Sequence, residues 1–323
     1  MTVAKALSES KIRLFTRTIE RAVHSSPDLI YKIAKENDVD IPFELGSPSE
    51  LSEFFLKELP DDAKQNIIDI YGDAGNVLSY FFTFGDAIPS LEDLKKKSVR
   101  IHSLKEQSDI LEDVPYFDEV EVHAPSQTLR IRFHYYKGRT YLLDEQTRTI
   151  REFRRAFYGV VIYKPNRKLI DTRAKHLDLA RKAAQRTATA LGMEVPDTLD
   201  FRKQESIKSF LDWIRSLNNA RIEFPIREAK SSLIISARTG IDLKKLQEFK
   251  DALEHGRLRG GHATVQRNKG EEINFRIFFR DCRIYFTSFC TESDIDFVTD
   301  AIEKITEGHK FVMPKGLLEQ FFK

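Results

Sequence analysis

Residues Leu129–Tyr136 change polarity at every step. Leu129, Ile131, Phe133 and Tyr135 alternate with Arg130, Arg132, His134 and Tyr136. A period of two belongs to a β-strand with one apolar and one basic face, and it fits no helix. The tract therefore demands a sheet with something apolar covering one side. Lys137-Gly138-Arg139 is a hairpin-turn candidate, with Arg139–Asp144 returning as a second strand. Phe157–Tyr163 reads as a buried strand closed by Pro165-Asn166, and Thr172–Leu191 as a long helix ending at Gly192.

The first 90 residues carry helical periodicity instead. Ile12, Phe15, Ile19 and Val23 form one stripe, and Leu29, Ile30, Ile33 and Ala34 a second that starts near Pro27. Leu51, Phe54, Phe55 and Leu59 form a third. Ile67, Ile68 and Tyr71, then Val77, Leu78, Phe81 and Phe82, predict a fourth and a fifth. A compact bundle of short helices follows, with turns at Pro42, Pro48 and Pro60. Residues 91–115 read as a polar connector. Beyond the long helix, residues 205–217 predict another helix, and Ser232–Ala237 a strand. Asp242 is placed to cap a helix on Leu243, Leu246, Phe249 and Leu253. His262–Arg267, Ile273–Arg280 and Arg283–Ser288 read as strands, and Thr291-x-x-Asp294 as a capping box before a last helix.

Charge is segregated along this plan. The chain of 323 residues has a net charge of +2, but residues 1–128 sum to −10, residues 129–190 to +11 and residues 191–323 to +1. Such asymmetry points to an anionic partner for the basic part. No stretch approaches the roughly 18 apolar residues of a membrane span, so no membrane association is expected. Met1–Ile12 lacks the apolar run and cleavage site of a signal peptide. The two cysteines, Cys282 and Cys290, make no disulfide framework and point to a reducing compartment. The expected location is intracellular: cytoplasm or nucleoid, or the nucleus in a eukaryote.

The basic segment supplies the candidate site. Arg130, Arg132 and Arg139 share or border one strand face, and Arg148, Arg151, Arg154 and Arg155 follow in a helix or turn. Lys164, Arg167 and Lys168 flank the Pro-Asn turn, and Arg173, Lys175, Lys182 and Arg186 lie on the long helix. The arginine fork matches phosphate oxygens, and His134, Tyr136 and Tyr158 are placed to stack on bases of a single strand. The alternative is a solvated face that pairs with the acidic N-terminal helices. Gly256–His262 reads as a flexible loop, either a phosphate cradle or a plain connection. Glu228-Ala229-Lys230 with Asp212 allows a second reading, a Mg²⁺-dependent nuclease. A third is a structural protein–protein assembly module. The eight histidines show no metal spacing, and no nucleophile elbow appears. The favoured reading is non-enzymatic and needs no cofactor.

From Ser236 to Ile305 the order is strand, Thr239-Gly240-Ile241-Asp242-Leu243-Lys244-Lys245, helix, three strands and a closing helix. This resembles one half-repeat of the TATA-binding-protein fold. Phe275–Thr287 is similar to that family's paired strands, although Asp281-Cys282 and Ser288 stand where the family usually has glycine. Residues 117–191 resemble a more divergent copy. The layout of an acidic helical bundle before a basic curved sheet resembles centromere protein N in architecture. The resemblance implies an α+β fold: a small all-α bundle, then curved antiparallel-sheet domains of TATA-binding-protein type. The expected divisions are 1–92, an acidic helical bundle; 93–217, a basic strand-rich domain with the long helix; and 218–323, the TATA-binding-protein-like domain. The expected role is a nucleic-acid-binding adaptor, for DNA rather than RNA. It would be chromosome-associated or architectural, with the N-terminal helices holding a protein partner.

Overall fold

The computed structural model describes residues 7–75, 77–83, 92–93, 96, 112–123, 127–144, 148–167, 169–194, 196–225, 230–238, 240–267 and 270–307. Most of the expected connector at 91–115 lies outside them. The α-helices whose bounds lie within the described residues are α1 (Glu9–Ser25), α2 (Pro27–Glu36), α3 (Pro48–Glu58), α4 (Asp61–Ile67), α5 (Leu177–Leu191), α6 (Gln204–Trp213), α7 (Gln247–His255) and α8 (Glu292–Thr306). The strands are β1 (Leu78–Thr83), β2 (Tyr116–His123), β3 (Thr128–Asp144), β4 (Thr149–Lys164), β5 (Leu169–Arg173), β6 (Asp197–Thr198), β7 (Ser216–Pro225), β8 (Lys230–Ser236), β9 (Arg257–Gln266), β10 (Glu272–Phe278) and β11 (Arg283–Phe286). The protein is mixed α+β with antiparallel pairing.

Two compact units form. One comprises Met1–Val77, Asp200–Arg280 and Ile284–Lys323; the other, Leu78–Leu199 with Asp281–Arg283, is inserted between those segments in the sequence. The breaks fall after Val77 and Leu199, where the sequence places them after 92 and 217.

In the inserted unit the strand order is β2-β3-β4-β5-β1, with β6 against β1. Alternation on β3 works as its pattern requires. Leu129, Ile131, Phe133 and Tyr135 are fully buried, and they form one core with Tyr80, Phe82, Val161, Tyr163 and Ile170. Helix α5 closes that core with Leu179, Ala180, Ala183, Ala184 and Leu191. Its alanines let the helix lie close to the sheet. Gly192 ends it in the left-handed conformation, at φ 68°.

Several expectations are corrected here. Val77–Phe82 does not make a fifth helical stripe: Leu78–Thr83 is β1, paired with β5. A strand buried on both faces is a continuous apolar run, which spacing alone does not separate from a helix. Gly138 is not a hairpin turn. Its positive φ of 74° sits at a β-bulge between Tyr136 and Arg139, and β3 runs on to Asp144. Arg151, Arg154 and Arg155 accordingly lie in strand β4 rather than in a helix or turn. Thr172 and Arg173 belong to β5, so the long helix begins only at Leu177.

In the other unit, α1–α4 and the π-helical turn Ile68–Gly72 share one apolar cluster around Leu14, Phe15, Ile19, Ile33, Phe55 and Ile67. Phe289 packs against this cluster, and its ring lies 5.7 Å from that of Tyr71. The sheet order is β11-β10-β9-β7-β8. Phe201, Phe210, Trp213, Phe275 and Phe279 interlock, Phe201 stacking on Phe279 at 5.1 Å. The capping box at Thr291 and Asp294 forms and opens α8. Asp242 caps a short 3₁₀ turn, Leu243–Lys245, and α7 begins only at Gln247. The expected helix over 205–217 ends at Trp213, and Leu217 lies in β7. Gly256–His262 is not a flexible loop: Arg257 onward is β9. A Cβ on Gly260 would strike the carbonyl of Ile277, and one on Gly261 would sit 2.6 Å from the carbonyl of Asn219. Close strand packing, not phosphate, requires those glycines.

A Cβ on Gly159 would meet the Phe133 ring and lie 2.7 Å from the Arg173 carbonyl. Gly159→Ala should therefore cost about 2 kcal/mol, read as a lower urea midpoint. Burial pushes the Tyr135 and Tyr163 phenols up from 10.0 to about 12. The unfolded chain then loses these protons first, so stability should fall as pH rises from 10 toward 12. Tyrosinate absorbance followed alongside alkaline unfolding checks it: both rings should ionise with the unfolding transition, not before it.

Candidate nucleic-acid interface

Strand register places the basic residues individually. Residues directly opposite across a ladder share a face, so the face of β3 turned away from α5 carries Arg130, Arg132, His134 and Tyr136. Its neighbours on β2 are Glu121, Glu119 and Tyr116, and on β4 Ile162, Val160, Tyr158 and Ala156. Arg139 pairs with Arg154 past the bulge, and Tyr141 with Glu152.

This face is not a row of exposed cations. Arg130 is buried, at 4% exposure, and so are Lys164 and Arg173. Arg132 donates through Nη1 to Glu119 at 2.9 Å and to Glu121 at 3.1 Å. His134 shares a 2.7 Å hydrogen bond with Asp118. Arg173 donates through Nε to Asp171 at 2.9 Å, a fully buried ion pair. The acids of β2 thus meet the cations of β3 across one ladder. Burying an arginine is costly unless it is paired, which is why these groups have carboxylate neighbours.

The exposed cations lie farther along the hairpin and on α5. Arg148, Arg154 and Arg155 are exposed on the β3–β4 arm, and Lys175 and Lys182 are exposed near or on α5. Arg155 and Lys175 both lie over the Phe157 ring, at 5.2 and 5.0 Å. Lys182 donates to the Asp113 carbonyl at 2.9 Å. Half-buried Arg186 donates to the Pro115 carbonyl at 2.6 Å and lies over Phe117. Arg167 is half-buried in the 3₁₀ turn Pro165–Arg167. Arg151 is opposite Leu142 in the ladder. Lys168 lies outside the described residues. The structure therefore places Arg148, Arg154 and Arg155 on the β3–β4 arm, with Lys175 meeting it over Phe157, and takes Arg130, Lys164 and Arg173 into the interior.

Aromatic rings accompany them. Tyr116 stacks on His134 at 5.5 Å, His134 meets Tyr136 edge-on at 5.4 Å, and Tyr158 lies 6.4 Å from His134. Sequence reasoning missed Tyr116 and the exposed Tyr141. The first pairs through a β2 strand it did not identify, and the second depends on the bulge that restores its facing. Of the nuclease residues, Asp212 is exposed on α6, Lys230 opens β8 opposite Pro225, and Glu228 lies outside the described residues. Among the described residues no group of three or more His, Cys, Asp or Glu is placed to hold a metal ion, and no helix is long and apolar enough to cross a membrane. No protein-family model matches the chain, and no curated protein matches it.

Replacing one member of a buried pair leaves the other charge stranded. Asp171→Ala should destabilise the protein by about 3 kcal/mol, whereas Arg154→Ala should stay within about 0.5 kcal/mol of the parent. Urea unfolding of the two variants measures the contrast.

Proposed function

We propose that the protein is a non-enzymatic nucleic-acid-binding adaptor, with the β3–β4 arm as its nucleic-acid surface and DNA as the expected polymer. The observation that carries this reading is the arm itself. It holds exposed Arg154 on one face, Arg155 with Lys175 around Phe157 on the other, and Arg148 at its end, with half-exposed rings beside them. Arginine-rich, ring-bearing surfaces suit phosphate and base together. Phosphate contacts position a protein without reading sequence, so weak sequence preference is expected.

The adaptor half of the reading rests on the N-terminal helices. Tyr31 and Phe43 are exposed there. Tyr31 lines an open depression of about 370 Å³ with Ala34, Lys35, Asp38, Val39, Asp40 and Ile41. Apolar floor and acidic rim suit a basic, apolar-anchored protein segment. Kinship with the TATA-binding-protein fold is supported by the succession β9, β10, β11, α8, and by Cys282. That residue takes a positive φ of 40° in the tight turn where the family usually has glycine. A chromosome-associated role rests on the architectural resemblance to centromere protein N.

Replacing Arg148, Arg154, Arg155 and Lys175 together by Glu should abolish the electrophoretic shift of a DNA probe at low salt. For the parent, log affinity plotted against log salt should fall with a slope of roughly −0.9 for each phosphate these side chains neutralise. Undiminished binding by that variant, with its circular dichroism intact, would sink the reading.

A further inference from the structure

The outer face of the arm is ordered in rows. One row runs Tyr116, His134, Tyr158 across β2, β3 and β4. The next pairs Tyr136 with Ala156, the next Arg139 with Arg154, and the next Tyr141 with Glu152. Two tyrosines of this face stand in solvent, Tyr158 at 55% exposure and Tyr141 at 59%. Arg154 lies between their rows. Six residues of strand separate the two tyrosine rows, roughly 20 Å. Ala156 is the small residue beside Tyr158, so the space on that side of the ring is not filled by its own strand. Strand β5 pairs with β4 only from Val160 to Lys164. Below Val160, among the described residues, β4 pairs with β3 alone.

We infer that this face takes single-stranded rather than double-stranded nucleic acid, with bases stacked on Tyr158 and Tyr141 and the intervening phosphates at Arg154. The inference rests on the nucleic-acid reading above and narrows its substrate class. Large exposed rings add nothing to a grip on duplex phosphates, because paired bases keep their faces against one another inside the helix. A single strand presents each base face to a ring, and every base has one, so stacking tolerates any sequence. Arginine between the rings neutralises the backbone that links the stacked bases. The Tyr116–His134 stack, with Asp118 holding the imidazole, buttresses the inner side of the Tyr158 row.

Fluorescence anisotropy of the full chain tests this, using labelled oligothymidylate and the same strand annealed to oligoadenylate. The parent should bind the single strand more tightly. Tyr158→Ala and Tyr141→Ala should each weaken single-strand binding by on the order of tenfold and leave duplex binding unchanged. Tyr158→Phe and Tyr141→Phe, which keep the ring, should retain the parental affinity. Equal or tighter duplex binding by the parent overturns the single-strand assignment while leaving the nucleic-acid reading intact. So do alanine variants that bind the single strand like the parent, or folded ones that lose both probes alike. Failure of the parent to bind either probe overturns both readings.

Discussion

The long pairing of β3 with β4 is the constraint on which the inserted unit depends. It runs from Leu129 opposite Tyr163 to Asp144 opposite Thr149, with one bulge. A slip of one residue would turn Leu129, Ile131, Phe133 and Tyr135 to the other face and bring Arg130 and Arg132 under α5. The cost of burying those charges against the alanines of α5 holds the register. The same register sets which side chains emerge on the arm, so core and candidate interface are two consequences of one ladder.

The charge split along the chain acquires a different meaning in three dimensions. Asp118, Glu119 and Glu121 count toward the acidic first 128 residues, yet they lie on β2 beside β3. Arg132 and His134 count toward the basic segment and are satisfied by those same acids. Part of the imbalance is therefore local pairing across a hairpin, cut in two by where a composition window happens to end. Among the described residues of this segment, the exposed cations are Arg148, Arg154, Arg155, Lys175, Arg181 and Lys182.

Legibility in the sequence followed the strength of local signals. The amphipathic helices α1 to α3, the Gly192 cap and the Thr291 capping box were readable because each is specified within a few residues. Strands β1 and β5 were not, since both are buried on two faces and show no alternation. Strand β7 is broken by bulges at Leu217/Asn219 and Arg221/Ile222, which scramble its period. Gly138 and Gly260 were legible as special positions, but their reason, a bulge and a close strand approach, lies in partners far along the chain. For the candidate site, residue types were visible and burial was not. Nothing in the order of residues distinguishes buried Arg130 from exposed Arg154.

The insertion of one unit within the other also sets an order of assembly during synthesis. Nearly all of the inserted unit, Leu78–Leu199, leaves the ribosome as one continuous stretch. The helices α1–α4 emerge earlier, yet Phe289 and the Gly75–Cys290 bridge that complete their surroundings arrive more than two hundred residues later. Contacts of such sequence separation form slowly. Part of the apolar surface of α1–α4 therefore stays uncovered until the segment carrying Phe289 and Cys290 has been made. Apolar surface exposed for such an interval is open to non-native association.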